Sequence, residues 1–126
     1  MNPADLRYTP DHEWVGLEGA LAVIGISHHA QQALGDVTFV ELPKIGRTLK
    51  CHDVLGVVES VKAASDIFAP VTGKVVAVNE ALNTSPERIN QDPYGAGWIC
   101  QFSGVQATDL SGLMTLAQYE AFCAGK

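Results

Sequence analysis

Two stretches of the chain, Pro43-Lys44-Ile45-Gly46-Arg47-Thr48-Leu49 and Pro70-Val71-Thr72-Gly73-Lys74-Val75-Val76, follow one pattern: proline, two residues, glycine, a base, one residue, an aliphatic. The register continues, because Leu55 and Leu82 keep the offset that separates Gly46 from Gly73. Several matches at a single offset imply two similar strand-turn-strand halves and a domain with internal quasi-two-fold symmetry. Each glycine is expected to supply a backbone turn that a Cβ would hinder. Applied to Lys62, the same offset falls on Ile89, inside the turn-rich stretch from Asn83 to Asp92. One half presents a lysine and the other does not, so the asymmetry marks where function is added to a shared scaffold.

Lys62 sits at the centre of Glu59-Ser60-Val61-Lys62-Ala63-Ala64-Ser65-Asp66, a short polar interruption. Before it run Val54, Leu55, Gly56, Val57 and Val58, and after it Ile67, Phe68, Ala69, Pro70 and Val71, so the segment reads strand, small-residue turn, strand. That places the lysine on a hairpin tip. Exposed lysines are common and most only solubilise. Here the neighbours Ala63, Ala64 and Ser65 are too small to shield an amine, which leaves the four-carbon stem free to enter another protein's active site and be modified there.

The remaining elements agree with a sheet-based domain. Glu13 to Gly16 and Ala20 to Ile26 are strand-like and joined through Glu18-Gly19, a hairpin signal. A short helix follows, with Ser27 as N-cap, Ala30 to Leu34 as its body and Gly35 as its stop. Val37 to Leu42 reads as another strand. Thr115 to Gln118 forms a capping box, ahead of Tyr119 and Phe122 in a helical run, and a weaker helical stretch interrupted by Gly112 precedes it. The expected architecture is mainly β, a small sandwich or flattened barrel with a few short helices. With 126 residues and 47% hydrophobic content, the chain supports one domain over 1–126, its C-terminal helical segment spanning about 108–123.

Charge and cysteine usage narrow the function classes. A net charge of -6 and a pI near 5.0, without a Lys/Arg cluster, argue against nucleic acid. No apolar run approaches membrane-spanning length and the start lacks a basic-then-apolar leader, so a soluble protein of the compartment that made it is expected. Cysteines at 51, 100 and 123 show no C-x-x-C spacing and read as reduced thiols, Cys100 as a small core hydrophobe on a strand. His28 and His29, adjacent on a helix, point about 100° apart and do not converge on one ion. His12 and His52 lack ligand spacing, Gly95-Ala96-Gly97 is a turn rather than a phosphate cradle, and Trp14 and Trp98 read as core or cleft walls. No nucleophile-base-orienter set supports a stand-alone enzyme.

The segment from Glu59 to Gly73 closely resembles the lipoyl-lysine segment of the glycine cleavage system H protein family. The likeness extends in order through Tyr8-Thr9-Pro10-Asp11-His12-Glu13-Trp14-Val15, Gly25-Ile26, Ala30-Gln31, Leu34-Gly35-Asp36, Val40-Glu41-Leu42-Pro43, Ile89-Asn90 and Asp92-Pro93-Tyr94-Gly95-Ala96-Gly97-Trp98, from about Leu6 to about Phe122. The resemblance implies a barrel-sandwich hybrid and a non-catalytic, cytoplasmic carrier with lipoate amide-linked to Lys62. It implies Glu59, Gly46 and Gly73 in recognition by lipoylating enzymes, and Glu13 and Asp66 in the cleft where the loaded arm docks. The implied partners are the pyridoxal-phosphate decarboxylase (P protein), the tetrahydrofolate-dependent aminomethyltransferase (T protein) and dihydrolipoyl dehydrogenase (L protein). A lipoate carrier or relay serving 2-oxoacid dehydrogenases is the alternative. Biotin is disfavoured because the lysine is flanked by Val61 and Ala63 rather than methionines. Without the resemblance, Glu13 and Asp66 would read as solvated carboxylates. Departures from the family pattern at Ser27-His28-His29, Lys44, Arg88 and Cys100-Gln101 lie outside the Lys62 hairpin.

Overall fold

The computed structural model describes residues 1–125. Nine strands, β1 (Arg7–Tyr8), β2 (Glu13–Glu18), β3 (Leu21–Ile26), β4 (Val37–Glu41), β5 (Thr48–Leu49), β6 (Val54–Ser60), β7 (Ala64–Phe68), β8 (Gly73–Val78) and β9 (Cys100–Ser103), carry the fold. Three helices accompany them: α1 (His28–Leu34), α2 (Arg88–Gln91) and α3 (Leu116–Ala124). The strands form a six-stranded sheet in the order β1-β2-β3-β9-β8-β5 and a three-stranded sheet in the order β4-β6-β7. Every pairing is antiparallel, as expected of the barrel-sandwich class. Among the described residues no helix is long and apolar enough to cross a membrane.

Apolar residues from both sheets meet in one core. Val15, Ile24 and Ile26 come from the larger sheet, Val40, Val58 and Ile67 from the smaller, and Leu82 and Ile89 from the connection between β8 and β9. Removing such a side chain from water contributes roughly 1.5–3 kcal/mol, so this cluster is the main force holding the sheets together. A smaller cluster lies elsewhere and joins Leu6, Tyr8, Trp14 and Val23 to Tyr119 of α3. The rings of Tyr8 and Tyr119 stack with centroids 4.6 Å apart.

Local signals fold as read. Ser27 Oγ accepts from Ala30 N at the start of α1, and Gly35 closes that helix at φ 76°. The Thr115 and Gln118 capping box opens α3. The weaker stretch before it is a 3₁₀ turn over Ala107–Leu110, after which Met114 bridges to Tyr8 instead of continuing a helix. The exposed Gly112 sits in that interruption.

The internal repeat needs a correction. Its two copies do face each other, since β5 and β8 pair with Thr48 opposite Lys74 and Leu49 opposite Gly73. The first copy continues into strand β6, whereas the second continues into a 3₁₀ turn over Glu80–Asn83. Leu55 and Leu82 are both buried, so what survives is the spacing of core contacts and not a second strand. The glycines also differ. Gly46 occupies a turn at φ 94°, which L side chains rarely adopt. Gly73 lies in strand β8, where a Cβ would stand 2.9 Å from Phe102 Cδ2 and 3.0 Å from the Ser103 carbonyl oxygen. Space, not turning, demands glycine there.

This distinction is measurable by urea unfolding. Gly46→Ala is expected to lose roughly 1–2 kcal/mol from its left-handed backbone, with unaltered near-ultraviolet circular dichroism. Gly73→Ala is expected to lose roughly 1–3 kcal/mol by overpacking, with an altered aromatic spectrum as Phe102 moves. Equal stability of Gly73→Ala and the parent would refute the close contact.

Candidate functional site

Strands β6 and β7 run to a tip at Val61, Lys62 and Ala63, and the tip is built from short hydrogen bonds. Ser60 N donates to Ala63 O at 2.8 Å, while Ser60 Oγ accepts from the backbone N–H groups of Lys62 and Ala63, each at 3.2 Å. Val61 N donates to Asp36 O at 3.1 Å and ties the tip to the link between α1 and β4. Lys62 is exposed, as are Ala63, Ala64, Ser65 and Asp66. Its stem lies alongside the end of α1: a Cβ placed on Gly35 would be 3.3 Å from Lys62 Cε and 3.8 Å from Nζ. Glycine at that position therefore clears a track for the lysine as well as ending the helix.

Asn90 locks this corner. Its Nδ2 donates to Gly35 O at 2.8 Å and to Gln31 Oε1 at 3.0 Å, and its Oδ1 accepts from Val37 N at 2.9 Å. One amide thus joins α2, the end of α1 and the start of β4. Nothing in its spacing from Lys62 announces this role; the available signal is a primary amide in a turn-rich stretch near a helix stop.

Beside the hairpin a cleft of about 180 Å³ opens between α1 and β7. Ile26, Leu34, Val58 and Ile67 make its apolar floor, and Glu13 and Asp66 both line it. The two carboxylates singled out in the sequence are therefore brought together, in different settings. Asp66 is exposed on β7. Glu13 is only 2% exposed, so the reading of it as a solvated carboxylate fails. Thr9 Oγ1 donates to Glu13 Oε1 at 2.7 Å, and Phe68 N donates to Oε2 at 3.3 Å. Burial pushes the Glu13 carboxyl up to about 7; the two hydrogen bonds pull against this shift and nearby Asp11 adds to it. Near neutral pH this group can take or release a proton inside an apolar cleft.

Lys62 is not part of the cleft wall, but the two share their supports: Leu34 and Asp66 line the cleft, and Gly35 borders the lysine stem. Glu59 is exposed on β6, opposite Ala64 on one side and the half-exposed Phe39 on the other. Gly46 and Gly73 lie at the β5–β8 pair and serve the backbone as described above. Trp14 is fully buried, with Nε1 donating to Pro93 O at 3.1 Å, while Trp98 is half-buried beside the smaller cluster. Cys100 is fully buried, which pushes its thiol up. His12 also lines the cleft, a placement its sequence spacing does not reveal.

The raised Glu13 carboxyl predicts a pH dependence of stability. Below about 4.5 it is protonated in both states; between about 4.5 and 7 the unfolded chain ionises while the folded chain keeps the proton. Stability contributed by the protonated form is therefore lost as pH rises through this window, at about 1.4 kcal/mol per unit of displacement. Glu13→Gln carries no charge at any pH and keeps one oxygen to accept from one of the two donors, Thr9 Oγ1 or Phe68 N. Urea unfolding at pH 5 and pH 7.5 is expected to show a decline of roughly 2–3 kcal/mol in the parent that is absent from the variant. Parallel profiles would contradict the assignment.

Comparison with known proteins identifies relatives over nearly the whole chain. A family model described as glycine cleavage H-protein matches residues 6–126. The glycine cleavage system H protein of Symbiobacterium thermophilum is 52% identical over 120 residues, covering 95% of this chain and 94% of that protein. That of Phenylobacterium zucineum is 53% identical over 119 residues, covering 94% of this chain and 98% of that protein. The crystal structure of a glycine cleavage system H protein from Mycobacterium marinum matches with a TM-score of 0.87 at 38% identity, covering 98% of this chain and 99% of that one. With the model and these relatives spanning nearly its whole length, the chain belongs to the glycine cleavage H-protein family.

Proposed function

We propose that this chain is a cytoplasmic, non-catalytic carrier of the glycine cleavage system, with lipoate held in amide linkage on Lys62 Nζ. The observation that carries the reading is the exposed lysine on a hairpin tip whose small neighbours leave it open, next to a cleft with an apolar floor and acidic walls. When bound, the group would supply a disulfide whose S–S bond opens as one sulfur takes the aminomethyl unit at the P protein and the other becomes a thiol; removal of that unit at the T protein would leave a dithiol for the L protein to reoxidise. The chain's own residues present, orient and shelter.

Presentation begins at the tip. The Ser60 bonds and the Val61 to Asp36 bond hold the turn, so a modifying enzyme meets a rigid base and a mobile side chain. A lysine amine attacks an acyl group only after it loses its proton, so that enzyme must accept the proton. Glu59, exposed on β6 three residues before the lysine, offers a charged recognition point that stays outside the turn.

Shelter falls to the cleft. An aminomethyl adduct is a primary amine, cationic near neutral pH, and its stem is apolar. Ile26, Val58 and Ile67 match the stem, while Glu13 and Asp66 match the cation. An entering cation favours the ionised form of Glu13, so loading the cleft and releasing the Glu13 proton are linked. Withdrawal to a partner enzyme reverses both. The cation's exclusion from bulk water also slows hydrolysis of the adduct.

The decisive variant is Lys62→Arg, which keeps the charge and removes the acylable amine. Intact mass of protein made with lipoate available is expected to show the added lipoyl group on the parent and none on the variant. The variant is also expected to lose all support of glycine decarboxylation with P, T and L proteins. Its unfolding free energy should stay within about 0.5 kcal/mol of the parent, as for other exposed positions. Undiminished aminomethyl transfer by Lys62→Arg would overturn the reading.

A further inference from the structure

Three side chains from distant parts of the chain, among them His12 of the cleft wall, converge. His12 belongs to the turn between β1 and β2, His29 to the first turn of α1 and Cys123 to the last turn of α3. One ligand atom from each, a ring nitrogen of each histidine and the Cys123 Sγ, lie within 4.8 Å of one another. The two imidazoles stack with centroids 4.6 Å apart and planes inclined by 29°. Two imidazoles and a thiol form a donor set for a borderline-soft cation such as Zn²⁺, whereas Mg²⁺ and Ca²⁺ seek oxygen.

The geometry is close to what such an ion needs. Bonds of about 2.0–2.3 Å in a tetrahedron place ligand atoms roughly 3.3–3.8 Å apart, so the three must draw in by about 1 Å. His29 is exposed and Cys123 half-buried near a helix end, so rotamer changes supply that movement. His12 is the fixed member. It sits at φ 73°, an uncommon conformation for a side-chain-bearing residue, held as its N–H donates to Thr9 O at 3.1 Å and its carbonyl accepts from Ser27 N at 2.9 Å.

A second observation concerns ring orientation. His12 Nδ1 lies 2.6 Å from Tyr119 Oη, which lies 2.7 Å from Ser27 Oγ. A metal-ligating histidine is commonly held in this way, with its other ring nitrogen bonded to a partner that sets tautomer and direction. The same tyrosine belongs to α3, one turn before Cys123, so the helix that supplies the thiol also supplies the orienting hydroxyl.

We propose that His12, His29 and Cys123 form a Zn²⁺ site that clips α3 to the β2 and α1 face of the molecule. With Nδ1 of His12 on Tyr119, its other ring nitrogen would join His29 and Cys123 on the ion, beside the groove that His29 and Cys123 line with Gln32, Tyr94 and Glu120. Binding releases the thiol proton to solvent, leaving a thiolate on the metal. Because His12 precedes Glu13, occupancy steadies the start of the strand that carries the cleft carboxylate.

The test uses the full chain, stripped with a chelator and titrated with Co²⁺ alone and then Zn²⁺ alone. One Co²⁺ per chain is expected, with a thiolate-to-cobalt charge-transfer band in the near ultraviolet and the intense visible bands of tetrahedral cobalt, both erased by Zn²⁺. Cys123→Ser should abolish the charge-transfer band. His29→Ala, at an exposed position, should keep the metal-free circular dichroism and melting midpoint while weakening Zn²⁺ binding at least about tenfold. Zn²⁺ should raise the melting midpoint of the parent and leave that of His29→Ala unchanged. His28→Ala, the exposed neighbour, should bind as the parent does. No cobalt band, a band that survives Cys123→Ser, or equal losses in His28→Ala and His29→Ala would each overturn the proposal.

Discussion

The structure depends on a hairpin held at its base by apolar packing and at its tip by hydrogen bonds alone. Val58 of β6 and Ile67 of β7 are 2% and 1% exposed and pack with residues of the larger sheet, while everything from Val61 to Asp66 stands in solvent. Apolar burial at the base holds the hairpin, so the tip needs no packing of its own. Hydrogen bonds at Ser60 and Val61 close the turn instead. A lysine can therefore be displayed and chemically altered without loss to the fold.

Beside that hairpin the molecule accepts an electrostatic cost. A carboxylate out of water is unfavourable unless bonded, and Glu13 receives only the Thr9 hydroxyl and the Phe68 amide. Among the described residues no buried side-chain nitrogen or oxygen lacks a partner, so Glu13 is satisfied in hydrogen bonds and yet not in charge. Its raised carboxyl is the residue of that imbalance. A cation placed beside it would favour the ionised form and relieve that imbalance.

The C-terminal helix is joined to this region rather than appended to it. Tyr119 stacks on Tyr8 and reaches both Ser27, the cap of α1, and His12, the neighbour of Glu13. One hydroxyl of α3 thus joins the cap of α1 to the residue that precedes the cleft acid.

Much of this could be read from the chain before any coordinates. Alternation around Lys62, the Ser27 and Thr115 caps and the Gly35 stop are local signals, governed by backbone geometry and nearby hydrogen bonds, and each folded as read. The repeat was half legible: it reported core spacing at Leu55 and Leu82 and the facing of β5 and β8, but not that Gly73 answers to Phe102. Close approach between strands far apart in sequence leaves no local trace. The burial of Glu13, the amide clamp of Asn90 and the meeting of His12 with His29 and Cys123 belong to the same kind. Sequence by itself determined the strands either side of Lys62, the caps and the displayed lysine, since these follow from side-chain alternation and turn chemistry within a few residues. Tertiary structure alone decided which acid loses its water and which distant side chains share a pocket, because solvation and proximity are properties of the packed chain.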